Sequence, residues 1–317
     1  MNEFDVIRRI SGILPDQPPE VLVPVGDDCA VVRLGGEPWL AASDMLISGY
    51  HFGAWATPEE VGYKAVAVNV SDVAAMGGTP RFVLLSGGAP DPETTLRCME
   101  GALEACRELG VYPLGGDTTR ADALTVDASI LGGLTPGMQP VLRSGARPGD
   151  LLAVTGELGA SAAGFLALEA GRRGEAERLV RRHLRPEPRV EAGRAAAAAG
   201  VRAMIDLSDG LASDVRHLCE SSGVGCRIEL DRLPVAEDTR FFAGSEGREP
   251  EVLAATGGED YELLLAAPEG VLRQMTGACE VPVSVVGEIT AHREVEFLRG
   301  GEVRSPLSGW DHFPAEE

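Results

Sequence analysis

Short apolar runs flank Gly35-Gly36 in VGDDCAVVRLGGEPWLAASD, residues 25–44. That pattern predicts two strands joined by a tight turn. Before it, residues 1–20 read as a short amphipathic helix followed by the Pro-rich DQPPE. After it, Thr57-Pro-Glu-Glu has the form of a helix start, with Thr57 as N-cap, Pro58 in the first turn and Glu60 closing a capping box. The helix is expected to run to about Met76 and stop at Gly77-Gly78. RFVLLSGGAP predicts a strand. In DPETTLRCMEGALEACRELG, Leu96, Met99, Leu103 and Cys106 fall on one helical stripe and predict its inward face. A short strand at Val111–Leu114, a loop GGDTTR and a longer strand in ALTVDASILGGL follow.

RSGARPGD, residues 143–150, has the composition of a linker and divides the chain into 1–142 and 143–317. Beyond it, LLAVTGELGASAAGFLALEAG predicts strand, glycine turn and helix, and RVEAGRAAAAAG a helix ended by Gly200. VRAMID predicts a strand. LASDVRHLCESSG predicts a helix with Leu211, Val215, Leu218 and Cys219 inward, and GGEDYEL an acidic glycine turn before a strand. Strands and helices mixed in this way predict an α/β (α+β) protein, and 317 residues suit two domains of about 150 each.

Charge narrows the partners. The chain carries 28 basic and 49 acidic residues, a net −21, which argues against nucleic acid because phosphate contacts need Lys and Arg. No run of about 18 apolar residues predicts a membrane span. MNEFDVIRRI lacks the apolar core of a secretory signal, so a cytoplasmic location is expected. The six cysteines form no CxxC pair or Cys/His metal spacing and read as buried hydrophobes in a reducing compartment. Lys64 is the only lysine.

Acidic residues recur beside glycines at predicted element ends. If Gly35-Gly36 form a two-residue turn, Asp27 stands opposite Asp44 and Asp28 opposite Ser43, and like charges so placed call for a cation. Asn69, Ser71 and Asp72 interrupt an Ala/Val helix, where a polar group is either hydrogen-bonded or aimed at a cavity. Asp117 follows Gly115-Gly116, Asp206 ends a strand, and Glu259 and Asp260 follow Gly257-Gly258. Ser208 and Asp209 read either as helix caps or as ligands. Five such turns suggest several Mg²⁺ ions holding polyphosphate. There is no GxxxxGK[ST] loop, kinase HRD/DFG set or GxGxxG, so metal, glycine N–H groups and arginines are left to hold a nucleotide.

VGDDCAVV, SDMLISGYHF, KAVAVNVSDVAAMGGTP, LGGDTTR, TGELGASAAG, DLSDGLASD, GGEDYEL and GWDHF together resemble the thiamine-monophosphate kinase family of the aminoimidazole ribonucleotide synthetase-like superfamily, over nearly the whole chain. The resemblance implies an N-terminal mixed-sheet domain that dimerises through its sheet and a C-terminal α/β domain. It implies ATP-dependent phosphorylation of thiamine monophosphate to thiamine diphosphate by a homodimer. It further implies Asp27, Ser43, Asp44, Asp72, Asp117, Asp206 and Asp209 as Mg²⁺ ligands. Gly116, Asp117, Arg143 and Ser208 are implied at ATP, and His51, Glu259 and Trp310 at thiamine monophosphate. In VYPLGGD, Pro113 departs from the longer aliphatic segment common in such enzymes and leaves the adenine contact unassigned.

The expected chemistry is a direct in-line transfer with no general base, because the attacking phosphate oxygen is already ionised near neutral pH. Asp28 is expected only to support its turn. The competing readings are another ATP-using enzyme of the same superfamily and a non-catalytic Mg–nucleotide or thiamine-phosphate binder. The chain's PAEE end, without a reactive cysteine, argues against a hydrogenase-maturation dehydratase.

Overall fold

The computed structural model describes residues 3–304 and 306–310. The first unit contains α1 (Glu3–Ser11), β1 (Val21–Val23), β2 (Ala30–Leu34), β3 (Glu37–Ile47), α2 (Pro58–Ala75), β4 (Thr79–Ala89), α3 (Pro92–Glu108), β5 (Tyr112–Arg120) and β6 (Thr125–Gly133). The second opens with β7 (Leu151–Thr155), α4 (Ala160–Glu169), α5 (Glu177–Leu184), α6 (Val190–Ala199), β8 (Ala203–Asp206), α7 (Leu211–Ser222) and β9 (Gly225–Glu229). It ends with α8 (Glu237–Ser245), α9 (Pro250–Thr256), β10 (Leu263–Ala267), α10 (Glu269–Thr276), β11 (Val283–Thr290), β12 (Val295–Arg299) and β13 (Glu302–Val303). Among the described residues the strands make two sheets, of order β1-β2-β3-β6-β4-β5 and β13-β12-β9-β11-β7-β10-β8. Both are mixed: β4 runs parallel to β5 and β12 parallel to β9, while the other pairs are antiparallel.

Local signals formed as the sequence predicts. Thr57 Oγ1 accepts from Glu60 N (3.3 Å) and Glu60 Oε2 accepts from Thr57 N (2.9 Å), so the capping box is complete. Gly35-Gly36 make the hairpin turn, and Ala30 pairs with Ala41 through to Leu34 with Glu37. The ladder begins only at Ala30, so the expected pairing of Asp27 with Asp44 does not form. Asp44 instead lies opposite Ala128 on β6.

Two further expectations need correction. In α3, Leu96 and Leu103 are exposed, and the inward face carries Thr95, Cys98, Gly101, Ala102, Ala105 and Cys106. The cause is how closely α3 lies on α2. A Cβ on Gly101 would stand 1.9 Å from Glu59 O, and one on Gly62 would stand 1.8 Å from Cys98 O. Only small residues fit that seam, and the leucines are turned out. The second correction concerns GGDTTR, which is not a loop. It continues β5 as an edge strand, bonded to β4, with Leu114 to Arg120 exposed.

Every residue of α2 from Val61 to Ala75 except Asp72 is buried. One side fills the first core with Val66, Val70 and Val73, and Ala75 joins a core of the second unit with Ala192, Ala196 and Met204. Gly193 of α6 makes that contact possible, since a Cβ there would meet Ala74 O at 2.0 Å. Met45, Leu84, Tyr112 and Leu114 of the first sheet are exposed.

Candidate active site

Both units bring acidic residues to a shared cavity of about 780 Å³. Asp28 enters from the segment before β2, Asp44 from β3 and Asp72 from the last turn of α2. From the second unit come Asp206 at the end of β8, Ser208 and Asp209 in the following loop, Asp214 of α7 and Glu259 before β10. Carboxylate oxygens of Asp28, Asp72 and Asp206 lie within 4.8 Å of one another. Burial raises the pKa of all three; Arg143 opposes this at Asp28, while repulsion from Asp28 adds to it at Asp206 and repulsion from Asp44 and Asp206 adds to it at Asp72. Burial also raises Asp44 and Asp214.

The cluster is held by neighbours. Ser71 Oγ donates to Asp206 Oδ2 (2.5 Å), linking α2 to β8. Arg143 donates from Nε (3.2 Å) and Nη2 (2.6 Å) to Asp28 Oδ1. Asp28 Oδ2 is buried with no hydrogen-bond partner among the described residues. Asp28 is therefore more than a turn support: its side chain is fully shielded and faces the cluster. Asp27 points elsewhere and accepts from the backbone N of Arg143 (3.1 Å) and of Asp28 (3.1 Å). Burial, then Asp28, pushes the Asp27 carboxyl up to about 6.

The remaining residues named from the sequence divide. Ser208, Asp209, His51, Glu259 and Trp310 line the cavity with Arg143 and Ser43. Ser208 and Asp209 are not helix caps, because Gly210 holds the N-cap position and no side chain caps it. Ser43 is exposed and bonded to Asp127 Oδ2 (3.0 Å) and Ser129 Oγ (2.8 Å). Gly116 and Asp117 do not line the cavity; Asp117 pairs with Ser86 on exposed β5. Asn69 bonds its own helix at Ala65 O (2.9 Å). Trp310 N donates to Asp209 O (3.0 Å), and residues 311–313 of the GWDHF motif lie outside the described residues.

Sequence reasoning missed the supports of GGEDYEL. Glu259 (φ 65°) and Tyr261 (φ 51°) both occupy the left-handed region, which costs a non-glycine residue of order 1–3 kcal/mol. Glu259 N and Tyr261 N donate to Ser208 O (2.7 Å) and Leu207 O (3.0 Å), tying this turn to the DLSD loop. Asp260 accepts from Gly159 N (2.7 Å) and Ser161 N (3.1 Å), fixing the start of α4. Glu259 Oε1 lies 2.6 Å from Lys64 Nζ, and its Oε2 lies 3.3 Å from His183 Nδ1. Burial alone would raise the Glu259 carboxyl, but opposing charge, the Lys64 ammonium foremost, more than offsets it and holds it below the ordinary range. Burial, then Lys64, pushes the His183 imidazole down to about 3, so it is neutral. His183 packs against Trp55 and Phe165, with ring centroids 5.6 Å away in each case.

Known proteins resemble this chain in sequence and fold. Residues 26–134 match the AIR synthase related protein N-terminal domain, and residues 147–299 its C-terminal domain. The chain is 39% identical to thiamine-monophosphate kinase of Escherichia coli K12, covering 98% of both chains. It is 34% identical to that of Bacillus subtilis, covering 99% of this chain and 100% of the relative. The solved structure of AaThiL complexed with AMPPCP and TMP is similar with a TM-score of 0.86 and 31% identity, over 98% of this chain and 97% of that one. The hydrogenase maturation protein HypE, 18% identical at a TM-score of 0.70, shares the fold. With identity above 30% across the full chain and both domain models matched, the chain belongs to the thiamine-monophosphate kinase family.

Proposed function

We infer that the chain transfers the γ-phosphoryl group of ATP to thiamine monophosphate, forming thiamine diphosphate and ADP. The observation that carries this reading is the convergence of Asp28, Asp72 and Asp206 from three separate segments on one cavity. Family membership supplies the reaction. Those oxygens fit a hard divalent cation: they are carboxylates, they are close, and the unpartnered Asp28 Oδ2 is buried beside them. Asp28, Asp72 and Asp206 would hold Mg²⁺, with Asp44 and Asp209 on the same wall for further ions. A bound Mg²⁺ supplies charge neutralisation for the polyphosphate.

The protein's own groups orient and bind. Arg143 and Ser71 fix two of the carboxylates. His51 Nδ1 accepts from Ile47 N (3.0 Å), which puts its ring proton on Nε2 as a donor at the cavity wall. Trp310 and Phe165 offer aromatic surface to a flat ring, and Glu259 offers an acceptor beside them. The acceptor phosphate is ionised near neutral pH, so positioning and electrostatics suffice without a general base.

Asp117 and Gly116 belong to this site only if a second copy supplies them. We propose a homodimer paired through the first sheet, where exposed Met45, Leu84 and Leu114 support burial against a second copy. The described helices include none long and apolar enough to cross a membrane, and we propose that the enzyme works in the cytoplasm. Incubation with Mg-ATP and thiamine monophosphate should yield equimolar thiamine diphosphate and ADP, with inversion at a chiral γ-phosphorus. Absence of the diphosphate overturns the assignment, and retention overturns direct transfer.

A further inference from the structure

Lys64 stands in the second turn of α2 with its side chain 4% exposed, and its ammonium meets a residue 195 positions away in the other unit. The ion pair with Glu259 is its polar contact; Lys64 Nζ has no further hydrogen-bond partner among the described residues. Packing alone does not call for a lysine here. A buried ammonium is costly, and an apolar side chain of similar length commonly serves stability as well or better. What the lysine does change is Glu259. That residue sits on left-handed backbone at the cavity wall, next to the His183 imidazole, which is itself packed against Trp55 and Phe165. Without a fixed cation its carboxylate would turn toward solvent or take up a proton.

We propose that Lys64 is a positioning residue that sets recognition of the ring end of the acceptor. It holds one oxygen of Glu259; the other lies 3.3 Å from His183 Nδ1, which is itself bonded to Ser161 Oγ (3.0 Å), and the lone pairs left over are presented to the cavity. A carboxylate has lone pairs for about four hydrogen bonds, so its pairing with Lys64 leaves most of them available. Because its charge is already met by Lys64, Glu259 serves the substrate chiefly as a hydrogen-bond acceptor rather than as a counter-ion. The proposal rests on the reading of Glu259 as a substrate contact and extends it to a residue that touches no substrate. It also gives the two units a common dependence: α2 must be seated against the second unit for the wall to be complete.

Steady-state kinetics of K64M, K64R and E259Q test this. K64M should raise KM for thiamine monophosphate about tenfold or more while KM for ATP stays within about twofold, since only the ring wall is disturbed. K64R restores a cation and should recover most of the loss. A merely structural lysine would shift both KM values together or neither. If E259Q leaves KM for thiamine monophosphate unchanged, the Glu259 reading itself fails. If E259Q raises it and K64M does not, the Lys64 proposal alone fails. A second measurement stands even if K64M does not fold. Wild-type protein labelled at lysine Cε with ¹³C gives one lysine side-chain resonance, because the chain has one lysine. Thiamine monophosphate should shift that resonance, and the shift should disappear in E259Q; an unmoved signal overturns the proposal.

Discussion

Replacing Asp72 by Asn removes one charge from the cluster and leaves the shape. Two unit charges 4.8 Å apart repel by about 3.5 kcal/mol at an effective dielectric of 20. Over the three pairs among Asp28, Asp72 and Asp206 that approaches about 10 kcal/mol, the size of a whole protein's stability. The metal-free protein therefore keeps part of the cluster protonated, and Asp72, raised well above the usual carboxylate range by burial and by Asp44 and Asp206, is a main holder of that proton. D72N imitates the protonated state. We predict that in EDTA its melting temperature equals or exceeds that of the wild type. With Mg-ATP, the wild type should gain several degrees and D72N little, because a neutral amide cannot replace the missing ligand charge. Turnover should fall by about 10²-fold or more. Scanning calorimetry with and without Mg-ATP reads all but the last, and a coupled ADP assay reads that. A metal-free D72N that melts well below the wild type, or one that Mg-ATP stabilises equally, would refute the reasoning.

Three further outcomes follow from the same geometry. Burial, then Asp28, raises the Asp27 carboxyl from 3.8 to about 6, so the folded state holds the extra proton between those values; metal-free stability should fall by up to about 3 kcal/mol as pH rises through that window, and Mg²⁺ should oppose the fall, as melting curves at about pH 4 and 7 will show. Arg143→Lys loses the fork on Asp28 and should weaken Mn²⁺ binding by about 10–100-fold in calorimetry, with unchanged affinity counting against Arg143 as the support of that carboxylate. Gly62→Ala should cost about 3 kcal/mol in urea denaturation, because the new methyl meets Cys98 O, and a neutral result would mean that α2 and α3 separate freely.

What the sequence revealed was mostly local. The Thr57 capping box and the Gly35-Gly36 turn depend on residues within four positions of each other, so their chemistry is visible in one line of text. The inward face of Leu211, Val215, Leu218 and Cys219 was equally plain, because large residues met an ordinary helix–sheet spacing. The α3 stripe misled because close approach to α2 favours Gly101 and Ala102 over leucine, and that distance is not written in α3 itself. GGDTTR looked like a loop because an edge strand exposed on both faces needs no apolar alternation. Aspartates were found by their glycine neighbours, but which of Asp27 and Asp28 turns inward depends on where β2 begins. Lys64 stands out in the sequence only as the single lysine, since its partner is brought to it by the fold.

The helix α2 is surrounded on every side, and this bears on how the chain can be taken apart. A protein cut within residues 143–150 would separate two sheets, each with its own core. Yet the first fragment would keep α2 with Ala74 and Ala75 bared where α6 had lain, and with an ammonium left unmatched. The second would keep Asp206 and Glu259 without Ser71 and Lys64. Neither half is a module that could be borrowed or exchanged by itself. Recombination between relatives should succeed only where α2 and its seat travel together, and crossover points that divide them should give insoluble protein even though they fall in a loop.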